Sequence, residues 1–232
     1  MSWLAFREPF CSWSHGVWML FSLAGTLQLW CLSRGDRLKQ MGLLVFGISL
    51  TVCGATSTLY HAVCLPEGEI QWFEKLDFIG IYLLIAGTMT PLALVLLRGH
   101  ARWSSLVLIW LVAAAGIGLR LASVPISRLI STSLYLGMGW VVILFYSELA
   151  RILSHRAVRP ALLGGLLYSA GAVLNHLHWP VLWPGIFSAH ELWHLFVMAG
   201  SLCHFWLMLK VVVPFERLED AQGLASELFQ AE

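Results

Sequence analysis

Charged residues are scarce in this chain, and their scarcity excludes several classes of protein. Of the 232 residues, 12% are Asp, Glu, Lys or Arg, about half of the 25% that is typical of soluble domains. A formal net charge of +1 provides no basic surface of the kind that binds nucleic acid. Because 59% of the residues are hydrophobic and the mean hydropathy is +0.77, we expect an integral membrane protein whose partners include membrane lipid.

The sequence also has few signs of processing or of disulfide chemistry. The first ten residues have no apolar core, so we expect no cleavable signal peptide and assign targeting to the first membrane span. The five cysteines form no CxxC pair. We interpret them as free thiols that behave as small hydrophobic residues; they are Cys11, Cys31, Cys53, Cys64 and Cys203.

Long apolar runs dominate what remains. A helix needs about 20 apolar residues to cross the hydrocarbon core of a bilayer. Seven such runs are separated by short polar loops, at residues 15–33, 41–64, 77–97, 104–122, 129–149, 161–181 and 189–213. The sequence therefore predicts an all-α integral membrane protein with a bundle of seven transmembrane helices. We expect one domain over residues 1–214, followed by a short polar tail over residues 215–232.

The basic residues predict an orientation for this bundle. With seven spans, the N-terminus and the even-numbered loops share one face, where four Lys or Arg residues lie; the opposite face, which includes the C-terminus, has ten. Cytoplasmic loops carry the excess of basic residues in membrane proteins. We therefore expect the N-terminus outside and the C-terminus in the cytoplasm of a bacterial inner membrane.

Several histidines and one aspartate fall at the N-terminal face of the predicted bundle. His61 ends the second span, Asp77 opens the third, and His190 and His194 open the last. Residues four apart lie about 40° apart around a helix, so His190 and His194 share one face, and Ser57 and His61 have the same spacing. Ionisable groups in a membrane span usually face the bundle interior and find a partner. The same end of the bundle also holds His15, His176 and His178.

These residues suit a metal site. Three imidazoles, from His61, His190 and His194, supply three Zn²⁺ ligands and leave a fourth position for water, which is the catalytic arrangement. Zinc makes hydroxide available at neutral pH, Asp77 can hold the water or take its proton, and Ser57 can bind the water or orient His61. The alternative is that each histidine is an interfacial or hydrogen-bonded residue at a helix end.

The other polar residues of the spans receive different interpretations. His204 lies about 20 Å deeper than His190, and we expect it to hydrogen-bond across helices. His176 and His178 are expected to line a cavity or lie at the interface. In "AGTMTP", Thr88 and Thr90 are expected to satisfy carbonyls that Pro91 leaves free at a kink.

Four motifs resemble the hemolysin III family, whose relatives include the adiponectin and progestin receptors. They are "EPFCSWSHG", "STLYH", "KLDFIGIYLLIAGTMTP" and "HELWHLFVMAGSLCHF", and they follow one another from the first span to the last. The resemblance implies a seven-helix bundle that holds zinc with His61, His190 and His194, beside Ser57 and Asp77. It assigns no firm role to the matching residues Glu8, Ser14, His15 and Gly16.

The resemblance extends to alkaline ceramidases, which implies hydrolysis of a lipid amide or ester. One departure is orientation, because the receptor members are described with the N-terminus inside and the zinc near the cytosol. Two other functions stay open. One is a receptor-like or haemolytic membrane protein with structural zinc. The other is an intramembrane metalloprotease, since His190, Glu191 and His194 form the H-E-x-x-H pattern of zinc proteases.

Overall fold

The computed structural model describes residues 6–216, and this part of the chain is almost entirely helical. The predicted tail over residues 215–232 lies outside it except for Phe215 and Glu216. The helices are α1 (Pro9–Leu32), α2 (Arg37–Ala62), α3 (Glu67–Pro91), α4 (Gly99–Leu121), α5 (Arg128–Trp140), α6 (Tyr146–Ile152), α7 (His155–Leu177) and α8 (Ala189–Leu207).

These elements correspond to the seven predicted spans. Within the described residues, six segments are long and apolar enough to cross a membrane: Arg37–Ala62, Glu67–Leu96, Gly99–Leu121, Arg128–Ile152, His155–Leu177 and Ala189–Val212. The remaining helix, α1, has 24 residues, but polar residues in its first turns, such as Ser12 and His15, lower its mean hydropathy. The all-α membrane architecture is thus confirmed.

The fifth predicted span is not one uninterrupted α-helix. Between α5 and α6, residues Val141–Phe145 form a 3₁₀ turn, and together the three pieces complete the span. A second revision concerns α3, which begins at Glu67 rather than at Asp77. Asp77 therefore lies ten residues inside the helix, where its side chain is enclosed by neighbouring helices instead of capping an end.

Polar side chains mark where the helices begin. The side chains of Asp36, Ser127 and Ser154 accept hydrogen bonds from backbone N–H groups in the first turns of α2, α5 and α7. These caps satisfy N–H groups that have no partner inside the helix. They fix the short turns between consecutive helices and hence the antiparallel packing of the bundle.

The region around Pro91 also differs from expectation. The hydroxyls of Thr88 and Thr90 donate to the carbonyls of Leu84 and Ala86, one turn before each threonine, and not to the carbonyl that the proline leaves free. Beyond Pro91 the chain continues as a π-helical turn over Leu92–Leu96. The wider turn accommodates the proline ring without ending the span.

Close packing of α1, α2 and α3 forms one half of the bundle, and α7 packs against α8 in the other. Gly47 of α2 faces Thr26 of α1, and Gly87 of α3 faces Ser49 of α2, each so closely that a β-carbon would collide with the neighbouring side chain. Small residues at such crossings let membrane helices approach closely. The close approach of α2 to both neighbours fixes the end of α2 next to the starts of α1 and α8.

Candidate metal centre

Four side chains from three helices converge at this end of the bundle. A nitrogen of His61 from α2, nitrogens of His190 and His194 from α8, and the Cys11 sulfur from α1 all lie within 4.8 Å of one another. The ring centroids of His61 lie 5.2 Å from His190 and 4.7 Å from His194. The second and last spans therefore bring the three imidazoles together at one level.

The start of α8 is built by a capping box. Ser188 is the N-cap, and both its backbone N–H and its hydroxyl donate to Glu191 Oε2, at 2.7 and 2.6 Å. This reciprocal arrangement satisfies the free donors of the first turn. It leaves His190 and His194 on the face that meets α1 and α2, with their Nε2 atoms 3.2 Å apart. Glu191 in the H-E-x-x-H pattern thus serves as a helix cap.

His61 is held from the other side by the segment before α1. Its Nδ1 lies 2.6 Å from Glu8 Oε2, and the backbone N–H of Glu8 donates to the His61 carbonyl at 3.0 Å. The hydrogen bond to His61 lowers the pKa of the Glu8 carboxyl group below its ordinary value. Because a carboxylate only accepts, His61 Nδ1 carries the proton and His61 Nε2 keeps a free lone pair.

His15 supports His194 in a similar way. The Nδ1 atoms of the two rings are 2.9 Å apart, and both side chains are buried. In the tautomer in which His194 Nδ1 donates to His15, the lone pair of His194 Nε2 points toward His190. A metal-binding histidine commonly has its second nitrogen fixed by a neighbour in this manner.

The arrangement of donors fits a bound cation. His61 is 1% exposed, and among the described residues its Nε2 has no hydrogen-bond partner, although a buried polar atom without a partner costs about 1–3 kcal/mol. A tetrahedral zinc site with bonds of about 2.0–2.3 Å separates its donors by about 3.3–3.8 Å. The spacing of the four donor atoms and the free lone pairs therefore make this cluster a possible metal-binding group.

Ser57 and Asp77 lie beside this cluster. The Ser57 hydroxyl, one turn before His61 on α2, is within hydrogen-bonding reach of the Asp77 carboxylate, and Asp77 also faces His61. Both residues line a cavity of about 450 Å³ that also reaches His190 and His194. A carboxylate and a hydroxyl thus border the histidine cluster on its cavity side.

The cavity extends from the cluster into the apolar interior between α3, α5, α7 and α8. Along α3 its lining runs from Glu74 to Leu92, which corresponds to about 27 Å at the rise of an α-helix. Apolar side chains such as Ile85, Met89 and Val142 form much of the deeper wall. Its volume lies within the range of about 300–1,000 Å³ that is usual for small-molecule sites.

Sequence reasoning missed three contributors to the site. Cys11 was interpreted as a small hydrophobic residue, and Glu8 and His15 had no assigned role. Their spacing carries the signal, because steps of three and four residues place Glu8, Cys11 and His15 on one helical face. The same rule identified His190 and His194. Cys53, buried at 5% exposure, does match the hydrophobic interpretation.

The outlying histidines lie apart from the cluster. The prediction that His204 bonds across helices is wrong, because its Nδ1 interacts with the Gly200 carbonyl of its own helix at 2.8 Å; across the interface it stacks on Tyr168 instead. His178 follows the end of α7, where its Nε2 lies 3.3 Å from an Arg128 nitrogen. His176, in the last turn of α7, is exposed.

Comparisons with known proteins agree with these features. The family described as "Haemolysin-III related" matches residues 4–205. The chain is 34% identical to Hemolysin-3 of Bacillus cereus, over 87% of this chain and 90% of that protein. It is 33% identical to a Hemolysin-3 homolog of Bacillus subtilis (strain 168), over 87% and 93%.

A more distant relative comes from animals. The chain is 25% identical to the human monocyte to macrophage differentiation factor, over 85% of this chain and 81% of that protein. The matched region runs from the segment that carries Glu8 to the helix that carries His190 and His194, so it contains the whole histidine cluster. The resemblance predicted from the four motifs is confirmed: this chain is an integral membrane protein that belongs to the haemolysin-III related family.

Proposed function

We propose that this protein is a zinc-dependent hydrolase of lipid amide or ester bonds, resembling a ceramidase in its chemistry. The observation that carries the proposal is the juxtaposition of three converging imidazoles with the Asp77 carboxylate at one end of a long cavity with many apolar lining residues. An acid, a set of metal donors and room for an acyl chain are the parts that such a reaction requires. The helical domain over residues 1–214 contains all of them.

His61, His190 and His194 would hold the zinc through ring nitrogens. Bound zinc supplies a nucleophile at neutral pH by lowering the pKa of water, and it polarises a carbonyl group. Glu8 fixes the orientation of His61, and His15 fixes that of His194. The two supporting residues keep the donor nitrogens unprotonated and aimed at one point, which a metal site requires.

Asp77 and Ser57 are the proposed catalytic pair. Asp77 accepts a proton from the attacking water and returns it to the leaving amine or alcohol, which is general acid–base catalysis. Ser57, beside Asp77, orients the water or the carboxylate by a hydrogen bond. Ser57 is buried, and both residues line the cavity that would receive the substrate.

The shape of the cavity favours a lipid over a peptide. Its lining spans about 27 Å along α3, and one leaflet of the hydrocarbon core is about 15 Å thick, so an acyl chain fits along it. Much of the deeper wall of the cavity is apolar. The amide groups of a peptide would find few hydrogen-bond partners there, and amide groups are costly to bury unpaired. The scissile bond would lie at the end of the cavity that borders the histidine cluster, next to Asp77.

The location of the site in the membrane is part of the proposal. Ten basic residues against four favour a cytoplasmic C-terminus, which directs the metal cluster to the extracytoplasmic side of a bacterial inner membrane. A reporter enzyme fused after residue 232 tests this orientation: activity of a cytoplasmic reporter is expected, and activity of a periplasmic reporter contradicts it.

Reconstituted protein tests the hydrolase function directly. Vesicles that contain ceramides and ester lipids are incubated with the zinc-loaded protein, and released fatty acid is measured by mass spectrometry. Asp77→Asn should lower turnover by about 10²–10⁴-fold, the usual contribution of general acid–base catalysis, while bound zinc is retained. Full turnover in metal-free protein, or unchanged turnover in Asp77→Asn, would exclude this mechanism.

A non-enzymatic role with structural zinc is the second candidate, and Cys11 favours it. Four protein donors make a closed site of the structural kind, which would clip α1, α2 and α8 together. In that case removal of zinc lowers the thermal stability of the protein, and Asp77→Asn changes neither stability nor biological effect. The protease alternative has weaker support, because both Glu191 oxygens are engaged by Ser188 and Cys11.

A further inference from the structure

Cys11 lies among polar side chains, which its interpretation as a small hydrophobic residue does not explain. Its side chain is fully buried, yet its surroundings are polar: its sulfur lies within 4.8 Å of the three histidine donors and 3.8 Å from Glu191 Oε1. The second oxygen of Glu191 is occupied by the capping box. The thiol therefore lies between a carboxylate on one side and three imidazoles on the other.

An independent feature of the cluster points to a ligand at the same place. His61 Nε2 is buried and has no partner within residues 6–216, and the donor nitrogen of His61 lies within 4.8 Å of the Cys11 sulfur. Hydrogen bonding to Glu8 has already assigned the ring proton to Nδ1, so the free lone pair of Nε2 needs a cation or a donor. Thiolate sulfur and imidazole nitrogen together are the donor set that zinc prefers.

We propose that the Cys11 thiolate is a fourth, exchangeable donor to the metal, which closes the site until a substrate displaces it. This inference rests on the proposed metal site and adds a regulatory residue to it. On coordination the S–H bond breaks and the proton leaves to water past the Glu191 carboxylate. Neither the sulfur nor the metal changes its oxidation state.

The Cys11 thiol has a partner in each of its two proposed states, which we call closed and open. In the closed state the sulfur joins His61, His190 and His194 and ties α1 to α2 and α8. In the open state the protonated thiol donates to Glu191 Oε1, the contact observed at 3.8 Å, and the position that the sulfur would occupy on the metal becomes free. A hydrolytic site with three histidines needs this open position, and Cys11 controls when it exists.

Cobalt substitution tests the inference in the full-length protein. Co²⁺ replaces Zn²⁺ in detergent-purified protein, and a thiolate ligand produces a sulfur-to-cobalt charge-transfer band in the near ultraviolet. The band should be present in the wild type and in Cys31→Ser, a control on the same helix α1 with an exposed thiol. It should disappear in Cys11→Ser while cobalt remains bound through nitrogen.

A second measurement does not depend on any variant folding correctly. Zinc X-ray absorption of the wild type should detect one sulfur at about 2.3 Å beside nitrogens at about 2.0–2.1 Å. Bound metal without a sulfur ligand overturns the role of Cys11 and leaves the three-histidine site intact. Failure of the wild type to bind Co²⁺ or Zn²⁺ at all removes the metal site and this inference together.

Exchange is tested with a long-chain acyl hydroxamate, a lipid that carries a metal-binding group. Titration of this probe into the cobalt protein should abolish the charge-transfer band while the cobalt content stays constant, because the hydroxamate takes the position of the thiolate. A band that persists when the hydroxamate is bound shows a permanent thiolate ligand and overturns the exchange step.

Discussion

The two ends of the bundle satisfy their polar side chains in different ways. At the end that holds the chain segment after α8, the ammonium of Lys39 donates to the carbonyls of Val213 and Phe215, at 3.0 and 2.8 Å. The Ser33 hydroxyl donates to the Leu29 carbonyl, and the Gln40 amide to that of Trp30. Each of these groups has a backbone acceptor.

At the histidine end, ring nitrogens face one another. His194 Nδ1 lies against His15 Nδ1, and His194 Nε2 against His190 Nε2, while His61 Nε2 has no partner in the part of the chain that the structure describes. About 33 Å of α2 separates Lys39 from His61, so both arrangements belong to the same helix. The contrast teaches that backbone carbonyls satisfy the polar side chains at one end, whereas the other end gathers the donor atoms of a possible metal-binding group.

The sharpest test compares two histidines of the bundle. We expect His61→Ala to lower zinc affinity by at least about 100-fold, more than the loss of an outer-shell partner of about 10–100-fold, because it removes a donor. His204→Ala is the matched control, since His204 bonds to its own helix, and it should keep its full zinc content. Metal analysis of the purified proteins measures both; equal zinc in the two variants contradicts the assigned site.

Much of this contrast could be predicted from the sequence. The four-residue spacings of Ser57–His61 and His190–His194 put these side chains on shared helical faces, and the order of the spans put those faces at one end. Helical periodicity acts within about two turns, so it identifies such pairs reliably. The convergence of α2 and α8 then followed from span topology and from the resemblance to a known family.

What could not be predicted depends on tertiary contacts. The spacing of Cys11 from Glu8 and His15 places the three side chains on one helical face, but only the packing of α1 against α8 brings Cys11 to Glu191. The H-E-x-x-H pattern misleads for the opposite reason. Its glutamate occupies N3 of α8, where a capping box accounts for it without any catalysis. Likewise, the bond from His204 to Gly200 depends on side-chain rotamer.

Glu8 provides the next test of the contrast, because its carboxylate holds His61 Nδ1 at 2.6 Å and also lies 3.8 Å from His190 Nε2. We expect Glu8→Ala to lower zinc affinity by about 10–100-fold, the usual effect of removing an outer-shell partner, and Glu8→Gln to lie between this variant and the wild type. Glu148 is a suitable control, since it pairs with Arg151 on α6, away from the cluster. Competitive chelator titration measures the affinities; no difference between Glu8→Ala and Glu148→Ala rejects the supporting role.

Lys39 tests the opposite end of the bundle, where backbone carbonyls satisfy the polar side chains. Lys39→Met keeps the apolar stem and removes the ammonium, so two carbonyls lose a charged donor. We expect the free energy of unfolding in detergent to fall by about 1–3 kcal/mol, with zinc affinity unchanged. Arg37→Met, an exposed position on the same helix, should change stability by less than about 0.5 kcal/mol. Loss of zinc in Lys39→Met would show that the two ends are coupled.

The smallest expected effect separates capping from catalysis at Glu191. Gln is accepted at N3 of a capping box, so Glu191→Gln should keep the start of α8 and change the free energy of unfolding by less than about 0.5 kcal/mol. Glu191→Ala removes the acceptor of the Ser188 N–H and should cost about 1 kcal/mol. An intramembrane protease that used Glu191 as its base would lose its activity in both variants. Lower stability in Glu191→Ala, with wild-type stability in Glu191→Gln, assigns the contacts of this residue with Ser188 to the start of α8. In the proposed hydrolase, the catalytic carboxylate beside the three histidines is then Asp77.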